Sequence, residues 1–423
     1  MAHHFRAALV QVKARLGARW PVDVDELAEQ AGHCWRDRKL TPGVTVWLFM
    51  LQILHGNVAI TALRHLGAMA MQASSYCQAR ARLPMELFTR LFDAVSKADG
   101  VDTALSGEGL LNGRRVLLAD VTTFSMPDTP KLREHFAYPP GQREGCGFPL
   151  SRLLGVIDAL TGAVIVAMGC PLFSHEAREM FTLHPLLRRS DVLVGDRAFC
   201  SYAQIALLMQ HGVDVIFRLH QRRPTKALAD CVEVWTRPPK RPDWMNESIW
   251  QRLPETLSVR IVRYTVNRKG SRTRFVYVAT TLLDAHAYPP QTIARLYGHR
   301  WNIETCFNQL KTHAGMNMLP CKTVDGVIKE LIMYLIVWNL VRMTMKKFAG
   351  RAAVEAWRVS FIDTMRCLGV LLMSPARQEI ELLVNPDRPD RWEPRKLKQR
   401  IKEYDLLTEP RQRLKAKHNA RYA

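Results

Sequence analysis

Three acids in this chain stand where chemistry could be done. Asp120 and Asp196 close the apolar runs LLAD and LVGD, and Glu304 lies in LYGHRWNIETCFNQLKTHAGM, residues 296–316. The carboxyl ends of strands in an α/β sheet are where sites form, and a glutamate on a later helix can pack across that same edge. Three carboxylates gathered from separate elements repel one another unless a divalent cation lies between them. Mg²⁺, or Mn²⁺ in its place, takes such hard oxygen ligands and keeps several waters. Two ions about 3.5–4 Å apart serve the attacking and leaving oxygens of phosphodiester chemistry. Asp128, in the loop MPDTP, and Asp158, at a hairpin, are rival acids for which turn formation is sufficient explanation.

The segment around Glu304 has a second feature. Read as one helix at about 100° per residue, Arg300, Glu304 and Lys311 fall at about −60°, −20° and −40° from Tyr297. Leu296, Ile303, Phe307 and Leu310 form an adjacent apolar seam that can pack on a core. The helix thus presents an acid bracketed by two cations and a phenol at the edge of its buried face. The plain alternative is a solvent-exposed i,i+4 pair between Arg300 and Glu304.

Those acids need a scaffold. RRVLLADVTTF, LSRLLGVIDAL and GAVIVAMGC read as strands, the last two joined by a D-A-L-T-G turn. SHEAREMFTLHPLLRR reads as a helix, DVLVGD as a buried strand, YAQIALLMQHG as a helix and VDVIFRL as a strand. That order predicts a mixed α/β sheet covered by helices. Residues 215–289 turn strand-rich and basic, with LSVRIVRYTV and TRFVYVATTL flanking N-R-K-G. Residues 1–108 read as helices, expected to contact DNA through the basic SSYCQARARLP, or else to form a plain bundle. ITALRHLGAM and MELFTRLFDAVSKA have helical periodicity there. The expected division is a helical N-terminal region 1–108, a catalytic domain 109–345 holding a β-rich insertion 215–289, and a helical basic region 346–423. The tail from Arg388 carries net charge +7 and suits either a phosphate backbone or solvent.

The 423 residues are 48% apolar, which excludes a disordered chain, and 60 Lys and Arg against 39 Asp and Glu leave +21. So large an excess favours a polyanionic partner. Nine cysteines without a C-x-x-C argue against a disulfide framework or zinc module and suit a reducing cytoplasm. MAHHFRAALVQVKARL has no signal-peptide core, and its His3–His4 pair reads as incidental. GVIKELIMYLIVWNLVRM is interrupted by Lys329, Glu330 and Asn339, so no membrane span is expected.

The order Asp120, Asp196, Glu304, with Tyr297, Arg300, Glu304 and Lys311 in Y-x-x-R-x-x-x-E-x-x-x-x-x-x-K, resembles the DDE transposases of insertion-sequence family four, the Y-R-E-K group. DVTTFSMPDTP, GCGFPLSRLLGVID and GDRAF extend the likeness over roughly residues 40–345. Val121 departs from it, since relatives often carry Gly after the first Asp. The resemblance implies a ribonuclease-H-like core interrupted by a β-rich insertion, and metal binding by Asp120, Asp196 and Glu304. It assigns Tyr297, Arg300 and Lys311 to DNA beside the scissile phosphate. It implies cut-and-paste transposition: cleavage at transposon ends, then attack of the freed 3′-hydroxyl on target DNA, in relatives through a hairpin that flips a base onto an aromatic ring. Trp235, Trp244 and Trp250 are candidates for that ring, with core packing as the alternative. The implied partners are double-stranded DNA, as terminal inverted repeats and target, and a second copy of the chain. A silent end-binding relative and a nuclease without strand transfer are the competing expectations.

Overall fold

The computed structural model describes residues 23–36, 38–97, 110–139, 145–174, 176–220, 223, 230–266, 274–373, 381–387, 407 and 409–422. His3 and His4, the N-R-K-G turn and most of the tail from Arg388 lie outside the described residues.

The N-terminal helices are α1 (Val24–Gln30), α2 (Pro42–Leu54), α3 (Ala73–Arg82) and α4 (Met85–Ser96). Thr41 caps α2, its hydroxyl accepting from the Val44 N–H, and Pro42 supplies a preset first turn. Every residue of α2 is buried, because other helices surround it. ITALRHLGAM makes only a 3₁₀ turn at Ile60–Ala62 and one α turn at Leu63–Leu66. It stops at Gly67, where Leu48 fills the space a side chain would need.

The sheet has eight strands: β1 (Val116–Ser125), β2 (Leu150–Asp158), β3 (Val164–Cys170), β4 (Val192–Gly195), β5 (Asp214–Arg218), β6 (Cys231–Thr236), β7 (Thr256–Thr265) and β8 (Phe275–Thr280). Their order is β3-β2-β1-β4-β5-β8-β7-β6. β1, β2 and β3 are antiparallel neighbours, while β4 pairs parallel with β1 and β5 parallel with β4. That five-strand order is the ribonuclease-H-like arrangement. The basic, strand-rich stretch does not stand apart: β8, β7 and β6 continue the same sheet from the β5 edge, each antiparallel to its neighbour.

Helices α5 (Glu176–Leu183) and α6 (Tyr202–Gln210) cross between the parallel strands. α5 is shorter than its periodic pattern, since Pro185 cannot continue it and a 3₁₀ turn follows. The strand alternation sorts side chains into two cores. Leu117 and Ala119 join one with α5 and α6, and Val116 and Leu118 join the other. That second core is closed by α7 (Pro290–Gly298), α8 (Trp301–Asn308), α9 (Val324–Ala352) and α10 (Phe361–Met373). No helix among the described residues is long and apolar enough to cross a membrane. A last basic helix, α11 (Arg411–Tyr422), is anchored by Arg411, which donates to the Gly147 carbonyl at 2.6 Å.

Candidate active site

The two aspartates are set by strand register. Leu118 pairs with Val194 across the parallel β1–β4 ladder, and two residues further along each chain stand Asp120 and Asp196. Residues two apart on a strand share a face, so both acids point to the side that α8 covers. A buried ion pair fixes this register at its start: Arg115 and Asp191, immediately before the paired Val116 and Val192, meet at 2.6 Å. Asp120 does not end its strand, contrary to the sequence expectation. β1 runs on to Ser125 because β2 pairs it throughout, whereas β4 stops at Gly195. The open edge at Asp120 is the end of the neighbouring strand. Gly195 is needed there, since a Cβ would lie 2.9 Å from Phe199 and 3.1 Å from Phe217. Asp196 then accepts from the Ala198 N–H at 2.7 Å, which shapes the turn of GDRAF.

Glu304 comes in from α8. Gly155 pairs with Asp120 across β1–β2, and Phe307 sits over it so closely that a Cβ would be 3.2 Å from the ring. Glu304 precedes Phe307 by three residues, on the same helix face. Seating Phe307 on the bare glycine therefore brings Glu304 over the aspartates. The electrostatics agree. Burial pushes the Asp120 carboxyl up to about 6, the Val121 N–H and Arg300 pull it down, and Asp196 and Glu304 push it up. Val121 continues the strand in place of a glycine, its side chain packed on the α5–α6 core and its N–H donating to the Asp120 carboxylate at 2.8 Å.

One helix over 296–316 is not what forms. α7 ends at Gly298, a weak helix former, and α8 starts after Arg300. A π turn, Gln309–His313, follows, with the Ala314 N–H on the Gln309 carbonyl. Tyr297, Arg300 and Glu304 still meet, through the guanidinium. Arg300 is 8% exposed and donates to Glu304 at 2.7 Å, with Asp120 at 3.6 Å. Burial works against its charge, but Tyr297, Glu304 and Asp120 outweigh that and raise its pKa. Tyr297 is buried beneath it, its phenol pushed up by burial. Lys311, on the π turn, is half-buried, and burial lowers its pKa.

Among the described residues no three His, Cys, Asp or Glu side chains are arranged to hold a metal. As the side chains stand, the Arg300 guanidinium lies against two of the three carboxylates. The donor set nonetheless fits a hard divalent cation: three carboxylates from three elements lie within electrostatic reach of each other, and the one guanidinium beside them offsets only part of their charge.

The rival acids have other work. Asp158 accepts from the Leu160 and Thr161 N–H groups of its turn, and Asp128 pairs with Arg133 and Arg411. Trp235 and Trp250 are buried in the α5–α6 core, under Arg223 and Arg237, and Trp244 is half-buried against Phe181. Sequence reasoning missed Trp301, which is 61% exposed, with the Arg300 guanidinium 4.9 Å from its ring. Its helix angle, about +40° from Tyr297, lies off the apolar seam, and a large aromatic there was the available signal.

A family model described as a transposase DDE domain matches residues 111–340, more than half of the chain. Transposase InsG for insertion sequence element IS4, of Escherichia coli (strain K12), is 32% identical over 102 residues. Those residues are 24% of this chain and span only 22% of that protein. Among solved structures, the cryo-EM structure of the piggyBac transposase synaptic complex with hairpin DNA aligns at a TM-score of 0.47 and 10% identity. That alignment covers 87% of this chain and 80% of the other.

Proposed function

The chain belongs to the transposase DDE domain family, and from that membership we propose that it carries out metal-dependent cut-and-paste DNA transposition. It cleaves at transposon ends by hydrolysis and then joins the freed 3′-hydroxyl to target DNA. The observation that supports this reading is the equal offset of Asp120 and Asp196, each two residues beyond the paired Leu118 and Val194 of parallel neighbours, with Phe307 of the Glu304 helix seated on Gly155 opposite Asp120. Asp120, Asp196 and Glu304 hold Mg²⁺ or Mn²⁺. When bound, the ions supply Lewis acidity at the attacking and leaving oxygens.

The protein's own part is grip and alignment. Arg300 moves from the carboxylates to a phosphate oxygen, a trade between two anionic partners of similar geometry. Tyr297, buried against it, keeps the guanidinium at the site's edge. Lys311 has no ion-pair partner among the described residues and clamps the backbone as a point charge. If the ends pass through a hairpin, a flipped base needs an open ring. Trp244 and the exposed Trp301 offer one, whereas Trp235 and Trp250 would first have to leave the core. The partners are transposon-end and target duplexes, and a second copy of the chain to pair two ends. The work is done in the cytoplasm, on the nucleoid.

The Arg300–Glu304 pair favours one other reading, a silent end-binding protein whose Glu304 is permanently held by the guanidinium. A labelled duplex bearing the element's end separates the two. Wild type with Mg²⁺ should cut it and Asp196→Ala should not, with both binding it equally. An uncut duplex with normal binding by wild type would establish the silent reading instead. Nicked and linear products without a hairpin would remove the hairpin step, and cutting without joined products would leave only a nuclease.

A further inference from the structure

Arg342 lies in the middle of α9, within MYLIVWNLVRMT, and is 1% exposed. No carboxylate pairs with it among the described residues. Its guanidinium carbon is 4.5 Å from the Trp338 ring, 4.5 Å from Trp357 and 5.7 Å from Phe361. The cage is rigid. Trp338 donates its indole N–H to the Gly162 carbonyl at 2.8 Å, and Trp357 donates to the Ala159 carbonyl at 2.9 Å. Gly162, with φ +73°, leaves no room for a side chain, since a Cβ would come within 3.0 Å of the guanidinium.

Burying an unpaired charge costs several kcal/mol even after relaxation, and aromatic faces return about 2 kcal/mol or more when desolvated. A methionine would fill the cage without that penalty, so packing alone does not account for an arginine. Beside a long Nη1 contact to the Met345 Sδ at 4.0 Å within α9, what the arginine adds is two directed hydrogen bonds to the neighbouring segment. One Nη2 donates to the Gln309 Oε1 at 2.9 Å and to the Cys306 Sγ at 3.4 Å. Cys306 is in α8, and Gln309 is the first residue of the π turn. Arg342 therefore grips the chain on both sides of the α-to-π transition. An α-helix given the same residues without that grip would close i→i−4 bonds instead. A change of one residue in register rotates everything beyond it by about 100°. Lys311 is two residues beyond.

We infer that Arg342 is a positioning residue: from its aromatic cage it holds the π turn that aims Lys311 at the DNA backbone. This rests on the reading of Lys311 as a phosphate contact. The test is the salt dependence of binding to an end-bearing duplex by the full chain, for Arg342→Met, Lys311→Ala and their double variant. Each phosphate contact contributes about one unit to the slope of log K against log salt. Lys311→Ala should lower the slope by about one, and Arg342→Met should lower it equally although Lys311 is present. The double variant should lose no more than either. A fold effect alone would change affinity without selectively removing the Lys311 share of the slope. Gln309→Leu, which leaves the cage intact, should reproduce the loss and decides the matter should Arg342→Met fail to fold. A wild-type slope in Arg342→Met or Gln309→Leu, with Lys311→Ala reduced, overturns the inference alone. An unchanged slope in Lys311→Ala overturns the phosphate reading and the inference with it.

Discussion

Replacing Arg300 by glutamine should tighten divalent-metal binding in the absence of DNA. In the DNA-free protein the guanidinium lies 2.7 Å from Glu304 and 3.6 Å from Asp120, so an entering cation has to displace it. A hydrogen bond to a charged group is worth about 1.5–3 kcal/mol, and each 1.4 kcal/mol is tenfold in affinity. The Glu304 side chain is 41% exposed, so solvent screening puts the effect at the lower end, about tenfold. Loss of the free-ion Mn²⁺ resonance on titration into the protein measures it directly. Arg300→Gln should bind Mn²⁺ about ten times more tightly than wild type, and adding Asp196→Ala should weaken binding in either background. Cleavage should still fall in Arg300→Gln, because the phosphate loses its clamp. Mn²⁺ affinity equal to or below that of wild type would mean that the guanidinium does not occupy the cation's place. If metal and guanidinium do exclude one another, DNA arrival favours metal entry, because a phosphate offers Arg300 somewhere else to go.

Gly155→Ala puts a methyl 3.2 Å from the Phe307 ring, which must give by a few tenths of an ångström and shift the seat of α8 with it. Since a 1 Å misplacement costs about 10²-fold in rate, end cleavage should drop about tenfold, with Phe307→Leu restoring part of it; unchanged cleavage in Gly155→Ala would detach Glu304 from that seat. Asp120 titrates near 6 when folded against an ordinary value of 3.8, so the native state holds the proton more tightly. Metal-free stability, followed by denaturant titration, should therefore decline from about pH 4 to 6 and level off above, and Asp120→Asn should flatten that decline. Mn²⁺ affinity should rise through the same window as the proton leaves. Arg115→Met strands the buried Asp191 and should cost about 3–5 kcal/mol, whereas replacing both partners with apolar residues should recover much of it; equal losses in the single and double variants would refute the pair's role.

Each element that carries an acid was legible from local pattern, and the errors came from local helix breakers that were passed over and from neighbours distant in sequence. LLAD and LVGD announce strands because short, branched apolar runs fit a buried sheet. Nothing within LLADVTTFS says that β2 will pair it to the end while β4 stops after four residues, so the open edge was credited to the wrong strand. The stripe through Tyr297, Arg300, Glu304 and Lys311 was drawn on one ideal helix, and Gly298 was a visible reason to doubt it. The π turn was not visible, because the arginine that grips it arrives thirty-three residues after Gln309 in α9 (342 − 309 = 33). Trp235 and Trp250 were offered as possible base platforms on the strength of the family resemblance, with core packing as the alternative, and only the fold, which gathers β6, β7 and α6 into one core, places their rings inside it. The ion pair offered as the bland alternative for Arg300 and Glu304 also forms, and it does not exclude the metal reading. Three like charges brought together are relieved by a cation among them, and Arg300 is the one within reach of Asp120 and Glu304. On that account the bland and the functional readings of this helix describe two states of the same side chain.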